Sequence, residues 1–135
     1  MSMDYDRDNE HIRMGFKGED IIRNYLKDQK CPFMQADLLF KIDNKWYLGE
    51  VKTQEHFKAP PFDGHGLPIW QLEARLNFYE DTGVEPILFI VDITNKRVFY
   101  QSFVKLNNFE KKFLTKNSKR IIFPFDAFEI LITLE

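Results

Sequence analysis

The chain has 135 residues, 44% of them apolar and 16% aromatic, which is enough for one sizeable core and excludes a disordered chain. A formal charge of −2 and a pI near 5.9 do not advertise nucleic-acid binding, and a single cysteine, Cys31, excludes an internal disulfide and a cysteine-based zinc cluster. No apolar run approaches the ~20 residues of a membrane span, and the acidic, polar opening Met1 to Asp8 is unlike a secretory signal, so a cytoplasmic location is expected.

Residues 1–8 are expected to form a disordered tail, with residues 9–135 as a single domain. The stretch from Asn9 to Gln29 predicts a helix, because Ile12, Phe16, Ile22 and Leu26 recur at helical spacing. Glu19 falls on that same apolar row, where a carboxylate is unusual unless it is paired or bound to a metal. Cys31, next to Pro32, is expected as a small buried residue.

A β-hairpin follows. Leu38, Phe40 and Ile42 share one face of the first arm, and Trp46, Leu48, Glu50 and Lys52 share a face of the second, because side chains alternate along a strand. If Asp43 and Asn44 form a two-residue turn, Ile42 pairs with Lys45 and Asp37 falls opposite Glu50, with Cβ atoms roughly 5 Å apart. Two carboxylates that close repel unless a cation or a proton lies between them. Hard divalent ions such as Mg²⁺ take oxygen ligands and are often held by one or two carboxylates. A turn longer by one residue, with no bulge, would send Asp37 to the other face.

The segment Thr53 to Leu67 reads as a long loop, carrying Lys58 and His65, and loops of that length are often functional. A helix is predicted from Pro68 to Thr82, stopped by Gly83, with Leu72, Leu76 and Tyr79 as its packing row. Gln71 and Arg75 share a neighbouring face, where an amide can orient water or a phosphate oxygen and a guanidinium can neutralise phosphate charge. Pro86 to Val91 reads as a strand buried on both faces, Thr94-Asn95-Lys96 as a turn into a strand at Val98 to Tyr100, and Ile121 to Phe123 as another short strand. Asp126 is expected to cap a final helix through about Leu131. Between Lys105 and Arg120, Lys105, Lys111, Lys112, Lys116, Lys119 and Arg120 face a single acid, Glu110, an excess that could lie along a phosphate backbone.

Taken in order, Glu19 on a helix, Asp37 and Glu50-Val51-Lys52 on a hairpin and Gln71 on the next helix resemble the PD-(D/E)xK nuclease superfamily, over roughly Phe16 to Tyr100. The small archaeal Holliday-junction resolvases and RecB-like nucleases are similar in size and layout; Ala36 stands where the motif's name has proline. The resemblance implies an α/β fold with a restriction-endonuclease-like core, a central mixed sheet flanked by helices. It implies Mg²⁺- or Mn²⁺-dependent hydrolysis of DNA phosphodiester bonds, in repair, recombination or mobile-element processing. Glu19, Asp37, Glu50 and the Val51 carbonyl would hold the metal, Lys52 would orient the nucleophile or stabilise phosphoryl charge, and Gln71 would position. Lys58, His65, Arg75, Lys111 and Lys112 are the expected nucleic-acid contacts, and a homodimer would suit a symmetric two-strand cutter. The competing expectation is a nuclease-like scaffold that binds nucleic acid or protein without cleaving.

Overall fold

The computed structural model describes residues 10–34, 37–117 and 119–134, with side chains from Gly18 onward. The expected tail at residues 1–8, the side chains of Ile12 and Phe16, and Ala36 lie outside the described residues. The chain divides into two units, residues 1–35 and 36–135.

The first unit contains one described helix, α1 (Glu10–Asp28). It ends where Lys30 takes a φ of 55° and the amides of Lys30 and Cys31 bond back to the carbonyls of Lys27 and Leu26. The left-handed residue lets those amides meet carbonyls that the helix no longer uses. Cys31 is exposed, not buried as expected from its size and neighbours.

In the second unit a two-residue turn sets the geometry. Asp43 and Asn44 take φ of 48° and 66°, the backbone of a turn whose twist matches that of its flanking strands. Strands β1 (Leu38–Ile42) and β2 (Lys45–Gln54) therefore pair antiparallel, with Ile42 opposite Lys45 and Leu38 opposite Gly49. A short third strand, β3 (Gly64–Pro68), leads directly into α2 (Ile69–Thr82), which stops at Gly83 with a φ of 75°. The chain then returns as β4 (Glu85–Asp92), parallel to β2, and turns into β5 (Arg97–Ser102). A short helix α3 (Phe103–Asn108), strands β6 (Phe113–Leu114) and β7 (Arg120–Pro124), a single helical turn at Phe125–Ala127 and strand β8 (Glu129–Thr133) complete it.

The fold is mixed α/β with a central mixed sheet. Its five strands run in the order β1-β2-β4-β5-β8, and a second, antiparallel sheet runs β3-β7-β6. Between them, with α2 and α3, lies a core that includes Leu67, Leu72, Leu88, Ile90, Phe99, Phe103, Leu106 and Phe123. Leu72 is buried and Leu76 packs against this core, as the helix spacing predicts, while Tyr79 of the same row is only half-buried.

Three expectations are corrected. Strand β4 alternates, with Pro86, Leu88, Ile90 and Asp92 buried and the residues between them half-buried, so only one of its faces is fully covered. Residues 126–131 form no helix: the chain makes one helical turn and then pairs with β5, as Ile132 opposite Val98 and Ile130 opposite Phe99 show. Most of the expected loop 53–67 is shorter than supposed, because β2 runs on to Gln54 and β3 begins at Gly64. Gly64 and Gly66 permit β3's close approach to β7; a Cβ at either would run into the carbonyl of Phe123 or Ile121.

Candidate active site

The two-residue turn decides where the acids go. Continuing the β1–β2 register by one residue beyond Leu38 and Gly49 sets Asp37 across from Glu50. Asp37 Oδ2 accepts a hydrogen bond from the Val51 amide at 2.8 Å, in place of a ladder bond. The Val51 carbonyl leaves the strand on the same side as its N–H, because a strand residue directs both groups to one neighbour.

Glu50 is only 7% exposed. Its carboxylate is held from α2 on both oxygens: Gln71 Nε2 donates to Oε1 at 3.0 Å and Arg75 Nη2 donates to Oε2 at 2.7 Å. Lys52, on the same face of β2, brings its ammonium to 3.8 Å from Glu50 Oε1. A buried carboxylate demands such partners, which explains why a glutamine and an arginine one turn apart on α2 both face inward. The Gln71 Oε1 oxygen is buried and has no hydrogen-bond partner, an oxygen donor left over on the amide that holds Glu50.

Among the described residues no three His, Cys, Asp or Glu side chains cluster as a metal cage. The arrangement instead offers two carboxylates, one just ahead of β1 and one in β2, with a backbone carbonyl and the unpartnered amide oxygen. That all-oxygen donor set fits a hard divalent cation, which commonly takes one or two protein carboxylates and completes its shell with water and phosphate.

Of the other expected site residues, Glu19 belongs to the first unit, where its carboxylate accepts from Arg23 at 3.4 Å. Arg75 was expected to meet phosphate; it is buried and committed to Glu50, which needs a counter-charge. His65 was expected on an exposed loop and is instead fully buried in β3. Lys58, Lys111 and Lys112 are exposed. Lys111 and Lys112 line an open cavity of 640 Å³ together with Phe62 and Phe113, but Asp63, Glu110 and Asp126 share its wall and offset the basic charge.

Sequence reasoning missed a second polar cluster beside this one. Gln54, next in phase after Glu50 and Lys52 on β2, accepts from His65 Nδ1 at 2.7 Å, and His65 Nε2 lies 2.6 Å from Asp92 Oδ2. Burial lowers the His65 pKa, against the opposing effect of the hydrogen bond that the ring makes to Asp92. Burial would raise the Asp92 carboxyl, but side-chain and backbone hydrogen bonds from Asn95, and that from His65, bring it below its ordinary value. The available signal was phase: Asp92 follows Leu88 and Ile90 at intervals of two, a carboxylate in step with the core.

No protein-family model matches this sequence, and no curated protein matches it. Among solved structures, the chain is similar to Hjc of Archaeoglobus fulgidus, a Holliday junction resolvase from an archaeal hyperthermophile. The identity is 10%, the match covers 82% of this chain and 90% of that chain, and the TM-score is 0.44. So distant a likeness leaves the activity to be argued from the side chains. No helix among the described residues is long and apolar enough to cross a membrane.

Proposed function

We propose that this protein is a divalent-metal-dependent nuclease that hydrolyses phosphodiester bonds of DNA, with a site of the PD-(D/E)xK type. The observation that carries the reading is the hairpin register: Asp37 falls across from Glu50, its carboxylate on the Val51 amide, with the Lys52 ammonium 3.8 Å from Glu50. The two arms of the hairpin thus supply together the groups that one chemistry requires.

In this reading Asp37, Glu50 and the Val51 carbonyl hold Mg²⁺ or Mn²⁺, with the spare oxygen of Gln71 on the amide bonded to Glu50. A bound ion supplies Lewis-acid chemistry, polarising the scissile phosphate and lowering the pKa of the attacking water. The Lys52 ammonium orients that water or offsets charge building on the phosphoryl oxygens. Arg75 keeps Glu50 ionised and fixed in place, and Gln71 holds its other oxygen. Exposed Lys58, Lys111 and Lys112 supply phosphate contacts along the substrate.

The full occupation of Glu50 by Arg75 and Gln71 favours a second reading, a scaffold that binds nucleic acid without a metal and without cleavage. One assay separates them. The pure protein is incubated with duplex, single-stranded, flap and junction DNA and with RNA, in Mg²⁺, Mn²⁺ or EDTA. Metal-dependent cleavage that vanishes in Asp37→Ala is expected. Retention of substrate with no cleavage under any metal would support the binding scaffold instead.

A further inference from the structure

The clamp beside the candidate active site contains a proton count that the geometry fixes. Gln54 is oriented by Gly66: its Nε2 donates to the Gly66 carbonyl at 3.1 Å and its Oε1 accepts from the Gly66 amide at 3.3 Å. Exchanging the amide's oxygen and nitrogen would set donor against donor and acceptor against acceptor, so the oxygen faces His65 Nδ1, which must therefore donate. On the other side of the ring, Asp92 already accepts the Asn95 side-chain amide at 2.8 Å and the Asn95 backbone amide at 2.7 Å, which hold it as a carboxylate. His65 Nε2, 2.6 Å from that carboxylate, must also donate. A neutral imidazole can donate from one nitrogen only; two donors mean an imidazolium.

Aromatic faces beside the ring favour that charge, whereas burial, the largest effect on it, opposes it, so the second proton is kept only where the hydrogen bonds to Gln54 and Asp92 outweigh burial. Phe99 and Phe125 lie with ring centroids 5.6 and 5.7 Å from His65, close enough for a cation to gain from their faces. The other charged or titratable groups acting on the ring are His56 and Arg97, both of which oppose the second proton. His56 is itself tied to Asn95 at 3.2 Å and lies 3.7 Å from Asp63.

The clamp sits where it controls the site. His65 and Gly66 belong to β3, which runs directly into α2, and α2 has no side-chain cap on its first turn. Gln54 shares a face of β2 with Glu50 and Lys52. The Gln54 amide thus ties His65 and Gly66, just ahead of α2, to β2, beside the bonds that Gln71 and Arg75 of α2 make to Glu50 and that the Ile69 amide makes to the Lys119 carbonyl.

We propose that Gln54, His65 and Asp92 are positioning residues in which a doubly protonated His65, donating to Gln54 and to Asp92, locks the β3–α2 segment, with Gln71 and Arg75, onto the strand of Glu50 and Lys52. The positioning role rests on the nuclease reading; the protonation state does not.

Nitrogen-15 NMR of the imidazole rings in the full chain near pH 7.5 tests the proton count directly. Two protonated, slowly exchanging ring nitrogens at His65 are expected in the wild type and one in Asp92→Asn; one unprotonated nitrogen in the wild type overturns the proposal. For positioning, folded Gln54→Ala is expected to lose about tenfold or more in kcat with little change in KM. Gln54→Glu, which keeps an acceptor for both N–H groups, recovers part of that loss. An unchanged kcat in folded Gln54→Ala overturns the positioning role. If the wild type cleaves no substrate, the nuclease reading falls and the readout becomes hydrogen exchange of the Arg75 guanidinium. Faster exchange in Gln54→Ala than in wild type supports the lock, and equal exchange overturns it.

Discussion

Glu50 gathers more interactions than any other residue of the candidate site: a buried carboxylate with Arg75 at 2.7 Å, Gln71 at 3.0 Å and Lys52 at 3.8 Å. Its three partners have separable roles, and substitution separates them. Arg75→Ala leaves the buried charge uncompensated and is expected to cost about 3–5 kcal/mol in urea unfolding; a cost near zero would mean that Arg75 is not Glu50's counter-charge. Lys52 is one-quarter exposed in its side chain and lies farther from Glu50, so Lys52→Ala is expected to leave the fold and metal uptake intact. Cleavage is expected to fall by about a hundredfold or more, and wild-type turnover in that variant would remove the lysine from the mechanism. Asp92 gives a pH-dependent expectation with a definite sign. Its carboxyl is lower in the fold than in the unfolded chain, because the Asn95 and His65 hydrogen bonds outweigh the effect of burial. Its contribution is therefore complete above the unfolded value of about 4 and is lost as pH falls through the lower folded value. The stability difference between wild type and Asp92→Asn is expected to narrow as pH is lowered from about 5 to about 3; a constant difference would contradict the assignment.

At the scale of elements, the hairpin was legible because local chemistry specifies it. Asp43 and Asn44 are residues that tolerate left-handed backbone, and they do so here. Asn44→Val is expected to cost about 1–2 kcal/mol through that backbone position alone, measured by thermal or urea unfolding; no loss would mean the turn can be rebuilt without it. Helix α2 was legible for the same kind of reason, with Gly83 in the left-handed stop position and Leu72 and Leu76 on the core. Strand β3 was not. Gly64-His65-Gly66 has no alternation and reads as loop, and only the backbone approach to β7 reveals why glycine stands there. Gly66→Ala is expected to destabilise the fold by about 1–3 kcal/mol by overpacking against the Ile121 carbonyl. Strand β8 escaped detection because its residues are exposed along their whole length, so pairing with β5 defines it more than any hydrophobic pattern. The roles first read for His65 and Arg75 came from their polarity; both turned inward because buried partners, Asp92 and Glu50, sit on strands that sequence spacing alone did not align with them.

For the molecule as a whole, the formal charge of −2 allows only a local electrostatic footprint for a polyanionic substrate. Exposed Lys58 and Lys111 are the candidates, and replacing both with alanine is expected to reduce the slope of log affinity against log salt by about 1.8 on duplex DNA, ~0.9 for each phosphate contact. An unchanged slope would move the footprint elsewhere. The centre of the account is the pair of carboxylates that the hairpin register brings together, and calorimetric titration of the full chain with Mn²⁺ tests it most directly. One binding event is expected in the wild type, retained in Lys52→Ala and abolished in both Asp37→Asn and Glu50→Gln. Uptake that survives either carboxylate substitution, or no uptake by the wild type even with DNA present, would contradict it.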